Sequence, residues 1–169
     1  GPKRLVKIIN FLKDKNKRLR SVQVQFSLLS PNYEKQKNVK KICEQNKIDF
    51  LAYSPLAFGI LCQDPSKSDE SKRSFLRNFI FKAYRKQTLE LRQVIKDISV
   101  ERSASQAQVA LNWCFYQGAI PIVGLRKKTQ LLDICNVLNW DLSHREFERL
   151  DNASKKCIKK MPENPFSSL

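Results

Sequence analysis

Residues 21–56 read SVQVQFSLLSPNYEKQKNVKKICEQNKIDFLAYSPL, and the change of period along this stretch decides the fold. Val22, Val24 and Phe26 alternate with Gln23 and Gln25, the period of two expected of a strand, which puts both glutamines on one side. Pro31-Asn32 interrupts, and Val39, Ile42 and Cys43 then recur at helical spacing up to about Asn46. The run DFLAY (49–53) is a second short strand. Pro55 stops it, because proline cannot donate to a ladder and restricts the residue before it. Strand, helix and strand packed into so short a stretch form a βαβ unit, and such units build parallel sheets.

Working outward, residues 3–15 place Leu5, Ile8, Ile9 and Leu12 at helical spacing among charged positions, an amphipathic helix. On the other side, residues 54–71 form a long loop, of the kind that is usually functional or mobile. A basic amphipathic segment (72–82) leads into a helix over 88–101 carrying Leu89, Leu91, Val94, Ile95 and Ile98. Ser103 and Gln106 have capping-box spacing ahead of Val109, Ala110, Trp113 and Cys114, a helix closed by Gly118. Residues 119–123 (AIPIV) are a brief buried strand, followed by a helix over 128–136. A second capping box, Ser143 with Glu146, opens a last helix through Leu150, and the tail from Lys155 has no period. The fold class is therefore α/β, with about three parallel strands and flanking helices. That is too little β-structure to close a barrel and leaves both sheet edges unpaired. Binding groups in such folds gather at the C-terminal strand ends, here 23–26, 53–56 and 122–126.

The 169 residues fit one domain, and 41% hydrophobic content with four Gly and seven Pro argues against disorder or low complexity. No stretch has the roughly 18 consecutive apolar residues of a membrane helix. Five Cys, odd in number and widely spaced, suggest neither a disulfide framework nor a zinc knuckle. They read as reduced thiols of a cytoplasmic compartment, with Cys43, Cys114 and Cys135 on apolar helix stripes; an organelle address upstream stays open. Lys plus Arg total 32 against 16 Asp plus Glu, a net charge of +16. This charge is spread along the chain without aromatics at a base-stacking spacing, so it supports weak polyanion attraction rather than specific nucleic-acid readout.

At the three strand ends the chain resembles the aldo/keto reductase superfamily. The carrying segments are SVQVQFSLLS (21–30), LAYSPLAFGIL (51–61), SQAQVALNWC (105–114) and IPIVGLRKKTQLLD (120–133), with LSHREFERLDNAS (142–154) similar to the family's final helix. QVQFSLLS, the NWC after QVAL and the NPF near the end look most like plant-type NADP-dependent enzymes that reduce pyridoxal; potassium-channel beta subunits are a more distant match. The resemblance implies a (β/α)8 TIM barrel, which runs to about 250 residues or more, and this chain is similar only to its C-terminal half. Gly1-Pro2-Lys3 looks like the position just after the family's fifth strand. The family's catalytic Asp, Tyr, Lys and His belong to the N-terminal half, so no catalytic residue is assigned here; His144, the single histidine, reads as a surface residue.

The resemblance implies the cofactor side instead, with NADPH as cofactor. Gln23 matches the glutamine that bonds the nicotinamide carboxamide, since an amide both donates and accepts; an ordinary polar residue of a barrel interior is the alternative. Tyr53 matches the aromatic that stacks on the nicotinamide ring, with core packing as the alternative. Ser54 and Leu56 match contacts to the pyrophosphate and adenosine arm, and Arg73 a basic residue crossing the pyrophosphate. Gly124 matches a close backbone approach to phosphate and Arg126 a fork for the 2′-phosphate, while Gln130 and Asp133 face the adenosine. The chain departs from the family at Ile134, commonly Asn, and at Gln63-Asp64, commonly Gly-Lys. The expected parent reduces aldehydes or ketones to alcohols, with the present chain inactive alone. Its partners are the missing N-terminal half or a second copy, together with the parent's small carbonyl substrate. A non-catalytic regulatory or binding module on the same scaffold is the rival reading.

Overall fold

The computed structural model describes residues 1–30, 33–65, 84–157 and 161, and the side chains of the second helix from Gln36 onward. Helix α1 (Pro2–Lys13) precedes strand β1 (Ser21–Gln25), helix α2 (Tyr33–Gln45) and strand β2 (Asp49–Tyr53). A 3-10 turn (Ala57–Cys62) follows, then α3 (Leu89–Glu101), α4 (Gln106–Tyr116), β3 (Ile120–Ile122), α5 (Lys128–Cys135), a second 3-10 turn (Asn136–Asn139) and α6 (His144–Lys156). The strands make one parallel sheet in the order β1-β2-β3, with Gln23 level with Leu51 and Ile120, and Gln25 level with Tyr53 and Ile122.

Alternation then divides the sheet. Val22, Val24, Phe50 and Ala52 point to the side covered by helices, where Phe50 and Ala52 are buried. Phe26, just beyond β1, continues this row and stacks on Trp113 of α4 (centroids 5.1 Å apart, 24° between planes), while meeting Phe50 edge-on at 5.3 Å. Such aromatic pairs add to the burial of large apolar areas. Leu91, Ile95 and Ile98 of α3, together with Leu150 of α6, complete the core on this side. The other face holds Gln23, Leu51, Tyr53, Ile120 and Ile122. β3 is therefore not the buried strand its composition suggests: Ile120 and Ile122 are 47% and 43% exposed, because their side chains belong to the face that no helix covers among the described residues.

Several local expectations are corrected. Ile8 of α1 is exposed beside Phe11, leaving Leu5 and Ile9 as the buried stripe. Cys43 and Cys114 are buried, and burial pushes both thiols upward in pKa, but Cys135 is exposed. The cap of α4 is Ser105, whose Oγ accepts the Gln108 N–H at 3.2 Å. Ser103 instead has φ +50° in the preceding turn, and the Gln106 partner proposed for it is already in the helix. The capping box of α6 forms in full and the helix continues past Leu150 to Lys156. Part of the expected long loop is ordered as the Ala57–Cys62 turn; the segment 72–82 lies outside the described residues.

Candidate cofactor site

The C-terminal ends of the three strands supply the candidate groups from one side of the sheet. Gln23 is exposed and lies one pair-step below Tyr53, which is half-buried on the neighbouring strand. Their Cα positions are set by the ladder rather than by loops, and this is the more rigid way to place a recognition pair. Immediately after β2 the backbone reverses: Ser54 adopts φ +52°, and its carbonyl accepts the Ala57 N–H at 3.0 Å. Leu56 caps the 3-10 turn and packs its half-buried side chain against the core. Asp64, where the resemblance leads one to expect a lysine, is paired with Lys96 of α3 at 2.9 Å, so its charge is compensated locally. Arg73 lies outside the described residues.

Beyond β3, Gly124 is exposed, and a Cβ added there meets nothing within 4 Å. The space a side chain would fill is open, as a backbone approached by a phosphate requires. Arg126, Lys127 and Lys128 follow, all exposed. Among the described residues Arg126 has no ion-pair partner. Its loop is nonetheless ordered: Gln130 Oε1 accepts the backbone N–H of Arg126 at 2.9 Å and of Lys127 at 3.1 Å, closing the first turn of α5. This use of the Gln130 amide is local. Asp133 likewise is engaged with protein: Oδ2 accepts Ser105 Oγ–H at 2.8 Å and Oδ1 accepts Gln108 Nε2–H at 2.7 Å.

Sequence reading names the residues of the loop but not their supports, Ser105 and Gln108. The signal was present, since Ser105 and Gln108 repeat the capping-box spacing of Ser103 and Gln106 two positions later. His144 sits on the exterior, its Nδ1 2.9 Å from Tyr116 Oη and its Nε2 3.4 Å from Glu148. Neither of these contacts belongs to the candidate site.

This arrangement of strand-end amide, aromatic and glycine-arginine loop meets its decisive comparison in the family match: the aldo/keto reductase family model covers residues 2–155. The chain belongs to the aldo/keto reductase family. The chloroplastic pyridoxal reductase of Arabidopsis thaliana is 36% identical over 170 residues, covering 99% of this chain and 45% of that protein. The NADPH-dependent alpha-keto amide reductase of Saccharomyces cerevisiae is 26% identical over 128 residues, covering 76% of this chain and 34% of that one. The glycerol dehydrogenase structure from Gluconobacter oxydans superposes with a TM-score of 0.66 at 20% identity, over 86% of this chain and 45% of its own. The chain thus spans less than half the length of these aldo/keto reductase relatives. Their fold agrees with the parallel strands and flanking helices seen here. No helix among the described residues is long and apolar enough to cross a membrane.

Proposed function

We propose that residues 1–169 act as the C-terminal, cofactor-binding half of an NADPH-dependent aldo/keto reductase barrel that reduces aldehydes or ketones to alcohols. The observation that carries this reading is the placement of Gln23 and Tyr53 on one sheet face, with the open Gly124 and the exposed Arg126 beyond the neighbouring strand end. In the proposed pocket Gln23 bonds the nicotinamide carboxamide and Tyr53 lies against its ring. Ser54 and Leu56 line the pyrophosphate and adenosine arm, with Arg73 crossing it. Gly124 admits the phosphate, and Arg126 forks onto the 2′-phosphate with a charge-assisted pair. Gln130 and Asp133 border the adenosine while holding the loop. Bound NADPH would supply the hydride; the chain's own residues bind and orient it.

The proton donor lies in the N-terminal half of the family's barrel, so this half alone is inactive. Its partner is that N-terminal half, or a second copy where the half is missing. The carbonyl substrate is of the pyridoxal type, by likeness to the Arabidopsis relative. Five free thiols, three of them buried, suit a reducing compartment such as the cytoplasm.

The test is an NADPH oxidation assay with pyridoxal on the 169-residue chain, alone and with the N-terminal part of the Arabidopsis relative supplied as a separate polypeptide. No turnover is expected from the chain alone, and NADPH binding is expected on complementation. Turnover by the chain alone that Tyr53→Phe abolishes would place the chemistry inside this half and overturn the reading. NADPH-independent binding of the N-terminal part, with no cofactor bound by the complex, would favour a regulatory module instead.

A further inference from the structure

Helix α5, which carries Gln130 and Asp133, has an unusual attachment: none of its residues is buried, and Leu131 and Leu132 face solvent. Its one half-buried apolar side chain is Ile134, so its orientation rests largely on polar contacts, and those converge on Asp133. Ser105 and Gln108 reach the Asp133 carboxylate from α4, and Gln108 Nε2–H also donates to the Asp133 carbonyl at 2.9 Å. Gln108 is itself 6% exposed, and its Oε1 accepts the Trp140 indole N–H at 3.1 Å. Asn112, one turn along the same face of α4, donates to the Trp140 carbonyl at 2.8 Å. The first buried side chain after α5 is Val137.

Gln108 stands three residues after the cap Ser105, where a capping-box glutamine would turn back to the cap's own N–H. It reaches across to α5 instead. From there the path is short: Asp133 fixes α5, and Gln130 of α5 accepts from the Arg126 and Lys127 amides. We propose that Gln108, assisted by Ser105, is a positioning residue that acts through Asp133 to hold the Gly124–Arg126 loop in its phosphate-binding orientation without touching the ligand. Beyond its anchor in β3 the loop is exposed throughout, and an exposed cation on a loose loop loses part of its affinity to the cost of ordering it. The part of this inference that concerns phosphate rests on the cofactor reading above.

The experiment has two arms. In the first, amide hydrogen exchange is followed at Arg126 and Lys127 in the cofactor-free 169-residue chain. Gln108→Leu and Asp133→Ala are each expected to accelerate it about tenfold or more, and the double variant to fall well short of the product of the two, because both cut into one path while the Ser105 bond survives the first change and the bond to the Asp133 carbonyl survives the second. Asp133→Asn, which keeps an acceptor for Gln108, is expected to stay within about threefold of the parent. Should Gln108→Leu fail to fold, Asp133→Ala, a change at a half-exposed side chain, carries the test. Unchanged exchange in variants that keep their helix content, or additive effects in the double variant, would overturn the inference whatever the cofactor. In the second arm, with the N-terminal half supplied, Gln108→Leu is expected to weaken NADPH binding about tenfold and NADH binding little. Accelerated exchange with equal loss for both nucleotides, or none, would overturn the phosphate-positioning role. Absence of NADPH binding by the unmutated complex would instead sink the cofactor reading and, with it, the phosphate part alone.

Discussion

The two faces of the sheet are made from alternate residues of the same three strands, yet they obey different rules. On the helix side, Phe50 and Ala52 are buried and Phe26 is clamped between Phe50 and Trp113. On the other, Gln23, Gln25, Tyr53, Ile120 and Ile122 combine two amides, of which Gln25 is buried, one phenol and two exposed isoleucines. The difference teaches that the covered face supplies the stability of this chain, while the open face holds residues whose cost or benefit is settled only by what comes to lie on it. An exposed Ile in the middle of a strand gains little until it is covered.

The largest effect expected from breaking this contrast is on the covered face. Trp113→Ala removes the ring stacked on Phe26 and should cost about 3–5 kcal/mol in urea unfolding, while Ile122→Ala on the open face should cost under about 1 kcal/mol. Equal costs would mean that the open face is covered in solution. Next is Arg126→Ala: with the N-terminal half present, loss of a charge-assisted bidentate pair should raise the NADPH dissociation constant roughly ten- to a hundredfold and leave NADH nearly unchanged. Equal weakening of both nucleotides, read by fluorescence titration, would assign Arg126 to the pyrophosphate or to the fold. Arg126→Lys separates a fork from a point charge, losing most of the preference in the first case and part of it in the second.

A third effect lies on the helix side and is read through pH. Arg102 donates to both Glu146 carboxylate oxygens at 2.7 Å, and Ser143 adds its hydroxyl and N–H, so the buried Glu146 carboxyl is held down to about 2. A carboxyl depressed in the folded chain contributes its full stability above the unfolded value near 4.5 and loses it as pH falls toward 2. Because Arg102 is 38% exposed, solvent screening reduces the effect to the order of 2 kcal/mol. Thermal unfolding between these pH values should lose that slope in Glu146→Gln; an unchanged slope would place the titration elsewhere. The smallest effect returns to the open face. Ile122→Lys should reduce self-association in light scattering over about a hundredfold concentration range while barely moving the unfolding midpoint. A parent chain that stays monomeric throughout would show the exposed isoleucines to be insufficient for pairing.

Much of the fold was legible because period is a local property. SVQVQFS alternates and DFLAY is bounded by Pro55, so β1 and β2 follow from the residues themselves. The exposure of β3 is hidden for the same reason: IPIV looks like a core strand, and nothing in those residues reports that no helix covers their face of the sheet among the described residues. The cap of α4 is ambiguous in sequence because Ser103/Gln106 and Ser105/Gln108 have equal spacing, and only the fold reveals that Ser105 is the cap and that Gln108 commits its amide to Asp133. Within the candidate site, Gln23, Tyr53 and the Gly124–Arg126 loop came from motif likeness. The support under the loop joins residues 25 to 28 positions apart in sequence, beyond the reach of any periodicity.

The turn after β2 has a consequence for sequence change. Ala57, Phe58 and Gly59 take consecutive left-handed conformations, φ +47°, +58° and +89°, and only the last is a residue for which that geometry is inexpensive. In a saturation library selected for folded protein, Gly should therefore be enriched at position 57 and, where the lost ring can be spared, at position 58. Asn should follow, while Val, Ile and Thr should vanish from both. The chain keeps Ala and Phe there at a cost of about 1–2 kcal/mol per residue, so the first gains in an engineered thermostable form are to be sought in this turn rather than in the core.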